Sequence, residues 1–216
     1  MHIARNYRCL KWGSSGLNGA LLTEINRETG RLNNPRRLTL DENRNVVNAW
    51  TPDSRAVLFL SNRNGTYKLF RQNIDRATLE VLAEGRSIRL LRLNADGTRI
   101  LYLAGPNPQD PVHLVSVVEV SLEGGSPRLI LQKPFILNIK CARSPSKLCL
   151  LYAVQGSTTH FFSFDPESGQ TQEFASLPVS EVHCDLSPDG TQLAFFLPGP
   201  ERHANGRPEH ARCNAQ

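Results

Sequence analysis

Short apolar segments recur along the chain, and each one follows a tight polar turn. The clearest copy, SPDGTQLAF, occupies residues 187–195, and related copies occupy residues 51–59, 94–102 and 144–152. Counted from the second residue of each copy, an aliphatic residue lies five positions on and an aromatic residue seven positions on. The second residues are 43, 50 and 43 positions apart. Pro, Asp and Gly favour a tight turn, so each copy predicts a β-hairpin.

Each repeat contains four such segments, bounded by Gly, Pro, Asn and Asp, which is typical of short strands joined by turns. Three complete repeats span residues 44–85, 86–133 and 134–177, and the Pro-rich segment 105–111 lengthens the second. The pattern also predicts two strands before them and two after them, at residues 20–25, 35–40, 181–186 and 192–197. Four strands in a repeat of about 40–50 residues, without helical periodicity, predict an all-β protein of the β-propeller class.

The second strand of each repeat is apolar on both faces. With the ungapped alignment, one face holds Val57, Ile100, Leu150 and Leu193. The opposite face holds Leu58, Leu101, Leu151 and Ala194. Alternate side chains point to opposite faces of a strand, so both faces of this strand must be covered. One blade packed between two others meets that requirement, and each large side chain buried contributes about 1.5–3 kcal/mol.

The strand count predicts three complete four-stranded antiparallel blades with a half-blade on either side. We therefore expect a poorly defined segment at residues 1–19, an open propeller arc at 20–197 and a disordered tail at 198–216. A closed four-blade ring, in which residues 181–197 complete a sheet with residues 20–40, is the alternative.

The segments WTPDSRAVLFLSNRNG at 50–65 and SPDGTQLAF at 187–195 resemble the repeat of TolB-like β-propellers. The resemblance covers about residues 20–197. The segment 141–149 further resembles bacterial multi-repeat versions, which are often fused to a serine/threonine kinase or a winged-helix regulator. The resemblance implies a ring of six or more blades, so the arc of this chain is expected to be a truncated ring. It also implies a protein, peptide or small-ligand partner bound at a propeller face.

Composition narrows the classes of partner. A content of 39% hydrophobic and 21% charged residues is ordinary for a globular protein. The net charge of +5 comes mostly from scattered arginines, with one adjacent pair, so no basic patch for nucleic acid is predicted. The sequence has neither an apolar run long enough to span a membrane nor a signal-peptide pattern. We expect a cytoplasmic protein, unless the chain is a fragment of a membrane-tethered parent.

Five cysteines are too few and too irregular for a disulfide scaffold. Cys141 and Cys149 lie four residues on either side of Pro145, so a hairpin centred there could join them in a disulfide, while two buried free thiols are the alternative. The remaining His and Cys residues match no usual zinc spacing, so neither a metal site nor a cofactor is predicted.

Catalytic motifs are missing from the sequence: it has no nucleophile elbow, nucleotide loop, kinase catalytic loop or zinc-protease motif. The recurring Asp53, Asp96 and Asp189 are expected to shape turns. The sequence therefore predicts a non-catalytic binding module. Two alternatives remain: the C-terminal sensory propeller of a kinase or transcriptional regulator, and the accessory propeller of a prolyl-oligopeptidase-like hydrolase.

Overall fold

The computed structural model describes residues 19–39, 43–63, 65–76, 78–85, 87–106, 109, 112–180 and 182–196. The predictions for the tail and for residues 1–18 lie outside this part of the chain. Within it, the chain forms strands and turns without a helix. The strands are β1 Leu21–Asn26, β2 Arg31–Arg37, β3 Asn45–Trp50, β4 Ala56–Ser61, β5 Lys68–Asn73, β6 Leu79–Glu84, β7 Arg89–Leu93, β8 Arg99–Ala104, β9 Leu114–Ser121, β10 Arg128–Pro134, β11 Ile136–Cys141, β12 Cys149–Gln155, β13 Thr158–Phe164, β14 Thr171–Leu177, β15 His183–Leu186 and β16 Leu193–Phe196.

These strands form three four-stranded antiparallel sheets and two hairpins. The sheets β3–β6 (blade 1), β7–β10 (blade 2) and β11–β14 (blade 3) follow chain order, with each strand paired to the next. The hairpins β1–β2 and β15–β16 remain separate two-stranded sheets. The predicted all-β arc of three blades and two half-blades is confirmed, and the closed four-blade alternative is wrong for this structure.

The core lies between successive sheets. The core between blades 1 and 2 includes Leu58, Leu69, Leu91, Ile100 and Tyr102. The core between blades 2 and 3 includes Leu101, Leu103, Ile139, Cys149 and Leu151. Smaller clusters join β1–β2 to blade 1 and blade 3 to β15–β16. The second strand of each blade is therefore covered on both faces, as its apolar pattern requires.

The third repeat departs from the ungapped alignment by one residue. In blade 1 the backbone N–H of Thr51 donates to the carbonyl of Ala56, whereas in blade 3 Ala142 donates to Leu148, one residue further along. After the turn of blade 1, Val57 pairs with Trp50; after the turn of blade 3, Cys149 pairs with Cys141 in the same way. The counterpart of Val57 is therefore Cys149 and not Leu150.

This shift reverses the predicted faces of blade 3. Leu150 packs toward β15–β16, while Leu151 packs toward blade 2. The prediction that Leu150 shares the face of Val57, with Leu151 opposite, is therefore wrong. A one-residue change in a loop turns every following side chain to the other face of its strand. The turn chemistry gave a sign of it, because Ser146-Lys147 replaces Asp-Gly in this copy.

Candidate functional site

The antiparallel blades give the arc two different ends. One end, which we call the turn end, carries the turns between the first and second strands of each blade and those between the third and fourth. The opposite end carries the loops between the second and third strands, together with the links from blade to blade. We call it the pocket end.

The repeated aspartates lie at the turn end and close the hairpins. Asp53 accepts hydrogen bonds from the Thr51 hydroxyl at 2.6 Å and from the Arg55 backbone N–H at 3.0 Å. Asp189 makes equivalent bonds with the Ser187 hydroxyl and the Thr191 backbone N–H, whereas Asp96 accepts both from the hydroxyl and from the backbone N–H of Thr98. Side-chain hydroxyls, followed by backbone N–H groups, lower the pKa of all three carboxyls from their ordinary value. These bonds stabilise the turns, and the aspartates have the structural role expected of them.

Successive turns also contact one another along this end. A Cβ on Gly97, which has a φ of +75°, would lie 2.5 Å from Cγ of Pro52 in the neighbouring turn. The backbone N–H groups of Ser144 and Arg143 donate to the carbonyls of Ala95 and Pro188 at 3.0 and 2.7 Å. The turns of blades 1 to 3 and of β15–β16 therefore form a continuous packed row.

An ion-pair network lies between blades 2 and 3 at the turn end. Glu119 is only 3% exposed, and its Oε1 accepts from Arg99 at 2.9 Å and from Arg128 at 2.7 Å. Arg128 also donates to the carbonyls of Pro166 and Glu167 in blade 3. These residues line a depression of about 390 Å³. The buried carboxylate is therefore neutralised by two arginines, and this network joins the two blades.

At the pocket end, a pocket of about 410 Å³ lies at the junction of blades 2 and 3. Its walls are mostly apolar and carry three polar residues; the lining residues are Arg89, Pro106, His113, Val115, Phe135, Ile136, Leu137, Val154 and Ser180. An apolar pocket of this size with a few convergent polar groups is the usual form of a small-ligand site. We name it the Arg89 pocket.

Arg89 is the one charged residue of this lining. It begins β7, and its Nη2 donates to the carbonyl of Ile136 at 3.0 Å. Its Nε is buried and has no hydrogen-bond partner among the described residues. Burial lowers the pKa of the guanidinium from its ordinary value. A buried donor without a partner costs about 1–3 kcal/mol. Nη1 also carries no hydrogen bond among the described residues, so the guanidinium keeps donor capacity in the wall of the pocket.

The backbone around the pocket is also unusual. Six residues other than glycine have positive φ in the described part of the chain, and four of them lie at this end: Ser87, Leu90, His113 and Phe135. The ring of Phe135 lies against that of His113, with centroids 5.6 Å apart. The Phe135 backbone donates to the carbonyl of His113 and accepts from Val154. Left-handed conformations of bulky residues cost about 1–3 kcal/mol each and concentrate at functional sites.

The two cysteines singled out in the sequence lie at the turn end. Cys141 and Cys149 are paired across β11–β12, with Cα atoms 4.1 Å apart, and form a disulfide. Cys184 is a free thiol whose pKa is raised by burial. None of these three residues lines the Arg89 pocket.

The described ranges offer neither a metal centre nor a membrane span. No cluster of three or more His, Cys, Asp or Glu side chains there could hold a metal ion. The same part of the chain contains no helix long and apolar enough to cross a membrane.

Sequence reasoning missed the Arg89 pocket. Arg89 is one of twenty scattered arginines, and no motif distinguishes it. The one available signal was the Pro-rich insertion at 105–111, since it lengthens the loop that contributes Pro106 and precedes His113. Long loops in compact domains often have a functional role.

Comparison with solved structures defines the class of protein. An oligogalacturonate lyase from Vibrio parahaemolyticus superposes with a TM-score of 0.63 at 15% identity, covering 88% of this chain and 57% of that one. TolB from Acinetobacter baumannii gives 0.54 at 18%, covering 73% and 43%. A putative TolB from Agrobacterium tumefaciens gives 0.59 at 14%, covering 82% and 70%. The fold is that of a β-propeller.

More narrowly, the arc shares its fold with TolB propellers, the fold that its repeats suggested. It spans about half the length of the first structures it matches, which include both enzymes and proteins whose names state no reaction. No family model and no curated protein sequence matches the chain. At these identities the similarity shows the fold alone.

Proposed function

We propose that this chain is a non-catalytic β-propeller module that binds a protein or small ligand at its pocket end. The observation that carries the proposal is the Arg89 pocket: an apolar cavity between two blades, with a half-buried guanidinium in its wall whose donors are only partly bonded to described residues. The turn end supports the same choice, because its aspartates and its buried Glu119 already bind protein groups.

The positive-φ residues support a binding role for this end. Phe135 alone connects β10 to β11, and a glycine would adopt its φ of +59° with less strain. Its ring is 43% exposed and forms part of the pocket wall. A bulky residue held in an unfavourable conformation, with its ring open to a pocket, is the arrangement expected where a side chain contacts a ligand.

Screening a fragment library against the isotope-labelled full chain by amide chemical-shift perturbation tests this proposal. We expect binders to perturb His113, Phe135 and Val154. Phe135→Gly should weaken binding several-fold, because it removes the ring while easing the backbone. Phe174→Ala is the matched control, since Phe174 is also exposed, on β14, and lies outside the pocket lining.

Two results would contradict the proposal. Binders that perturb only the turn end would place the site at the wrong end of the blades. Chemical conversion of a bound compound by the purified chain would contradict the non-catalytic role. The sensory propeller of a kinase or regulator and the accessory propeller of a hydrolase remain predictions, which the protein's natural sequence context would test.

A further inference from the structure

We infer that the Arg89 pocket selects a ligand with one carboxylate attached to an apolar body. This inference rests on the proposed binding role of the pocket and specifies its ligand chemistry. It depends on three features of the pocket: the charge of its lining, the N–H groups of Arg89 that a ligand can use, and the apolar walls around them.

The charge of the lining is positive and not neutralised from within. Arg89 contributes a guanidinium, and none of the other eight lining residues is acidic. This contrasts with the turn end, where Arg99 and Arg128 share the carboxylate of Glu119. Arg89 is half-buried, and a partly desolvated cation is stabilised by an opposite charge, so the lack of an acidic residue in this lining favours an anionic ligand.

The guanidinium has a donor available for that anion. Nη2 is engaged with the Ile136 carbonyl at 3.0 Å, which fixes the plane of the group, while Nη1 carries no hydrogen bond among the described residues and is not one of the buried unpartnered atoms. The planar fork of an arginine matches a carboxylate, whose two oxygens can accept from neighbouring N–H groups. An uncharged amide offers a single oxygen and no charge, so the site should bind a carboxylate much more tightly than the corresponding amide.

The remaining walls determine what the carboxylate is attached to. Val115, Ile136, Leu137 and Val154 come from blades 2 and 3, and Phe135 and Pro106 complete the apolar wall. A strongly hydrated ion such as inorganic phosphate would leave this surface exposed to water, whereas an aromatic or branched body would cover it. A volume of about 410 Å³ accommodates such a body.

Matched probes test the inference on the full chain. 3-Phenylpropanoate is titrated beside its uncharged amide, and acetyl-Gly-Gly-Phe beside its C-terminal amide, with binding followed by the shifts of His113, Phe135 and Val154. We expect each acid to bind at least about tenfold more tightly than its amide, because the amide leaves a desolvated charge unpaired. If acetyl-Gly-Gly-Phe binds more tightly than 3-phenylpropanoate, the carboxylate of the natural ligand is the C-terminus of a peptide chain. If 3-phenylpropanoate binds more tightly, the natural ligand is a free small acid.

Substitutions of Arg89 test whether this residue causes the preference for the acid over the amide. Arg89→Gln should abolish the acid-over-amide ratio, and Arg89→Lys should retain part of it. Arg92→Gln is the matched control, because it removes the same charge from β7 outside the pocket lining. The comparison in the unaltered chain stands even if Arg89→Gln does not fold.

Two outcomes would overturn the inference. Equal affinities of acid and amide, with shifts still at the pocket, would refute the carboxylate while leaving the binding role intact. A failure of all four probes to perturb the pocket would also refute it, and the fragment screen would then decide the binding role separately.

Discussion

Replacing Gly97 with alanine should destabilise the protein far more than the same change at another glycine of similar conformation. The Cβ would lie 2.5 Å from Cγ of Pro52, closer than real carbon contacts allow, at a φ of +75°. The left-handed conformation costs an alanine about 1–2 kcal/mol. Overpacking adds about 1–3 kcal/mol, because the proline ring belongs to a hydrogen-bonded turn and cannot easily move.

Gly156→Ala supplies the control, since Gly156 has a φ of +60° and a Cβ added there would meet no atom within 4 Å. Gly156→Ala should therefore cost only the free energy of holding an alanine in the left-handed conformation. Urea unfolding followed by tryptophan fluorescence measures both, and we expect Gly97→Ala to cost about 1–3 kcal/mol more than Gly156→Ala. In a Pro52→Ala background the clashing Cγ is absent, so this excess should disappear. A coupling below about 0.5 kcal/mol between positions 52 and 97 would refute the packed row of turns.

Three further outcomes are expected. Unfolded, unreduced protein should titrate two fewer thiols than reduced protein, because Cys141 and Cys149 form a disulfide, and reducing this bond, which closes a short loop, should cost up to about 2.5 kcal/mol in urea unfolding. Folding lowers the pKa of the turn aspartates, so their contribution to stability should be present above the unfolded-state pKa and be lost as pH falls below about 4; replacing all three with asparagine should flatten the stability profile below about pH 5. Phe196 is 63% exposed on β16, whose outer edge is unpaired in the described sheets, so Phe196→Lys should reduce concentration-dependent association in size-exclusion chromatography.

The strands could be predicted from the sequence because local chemistry defines each boundary. Turn residues and alternating apolar positions predicted all the strands that the structure describes, in the observed order. β2 differs most, since it begins at Arg31 rather than near residue 35. Exposed strands of polar residues lack the hydrophobic contrast on which such predictions depend, and every residue of β2 is exposed.

The register of blade 3 could not be predicted in this way. Residues 149–153 are apolar or aromatic throughout and are all buried, so either face assignment satisfies the pattern. The extra residue that decides it lies in a turn whose closing bond, from Ala142 to Leu148, depends on three-dimensional geometry. The Arg89 pocket was unpredictable for a related reason: its walls come from several strands and connecting segments of two blades, and from no contiguous motif.

The contrast between the two ends explains where a binding site is expected in this fold. At the turn end, glycine occupies the positions where a neighbouring turn approaches most closely, and the buried carboxylate has its partners. At the pocket end, Phe135 occupies a position that geometry alone would assign to glycine, because a single residue must reverse the chain between β10 and β11. If the ring of Phe135 served only packing, replacing it with glycine should destabilise the fold. If the ring serves a ligand, Phe135→Gly should leave stability unchanged or raise it by up to about 1 kcal/mol, while binding at the Arg89 pocket weakens.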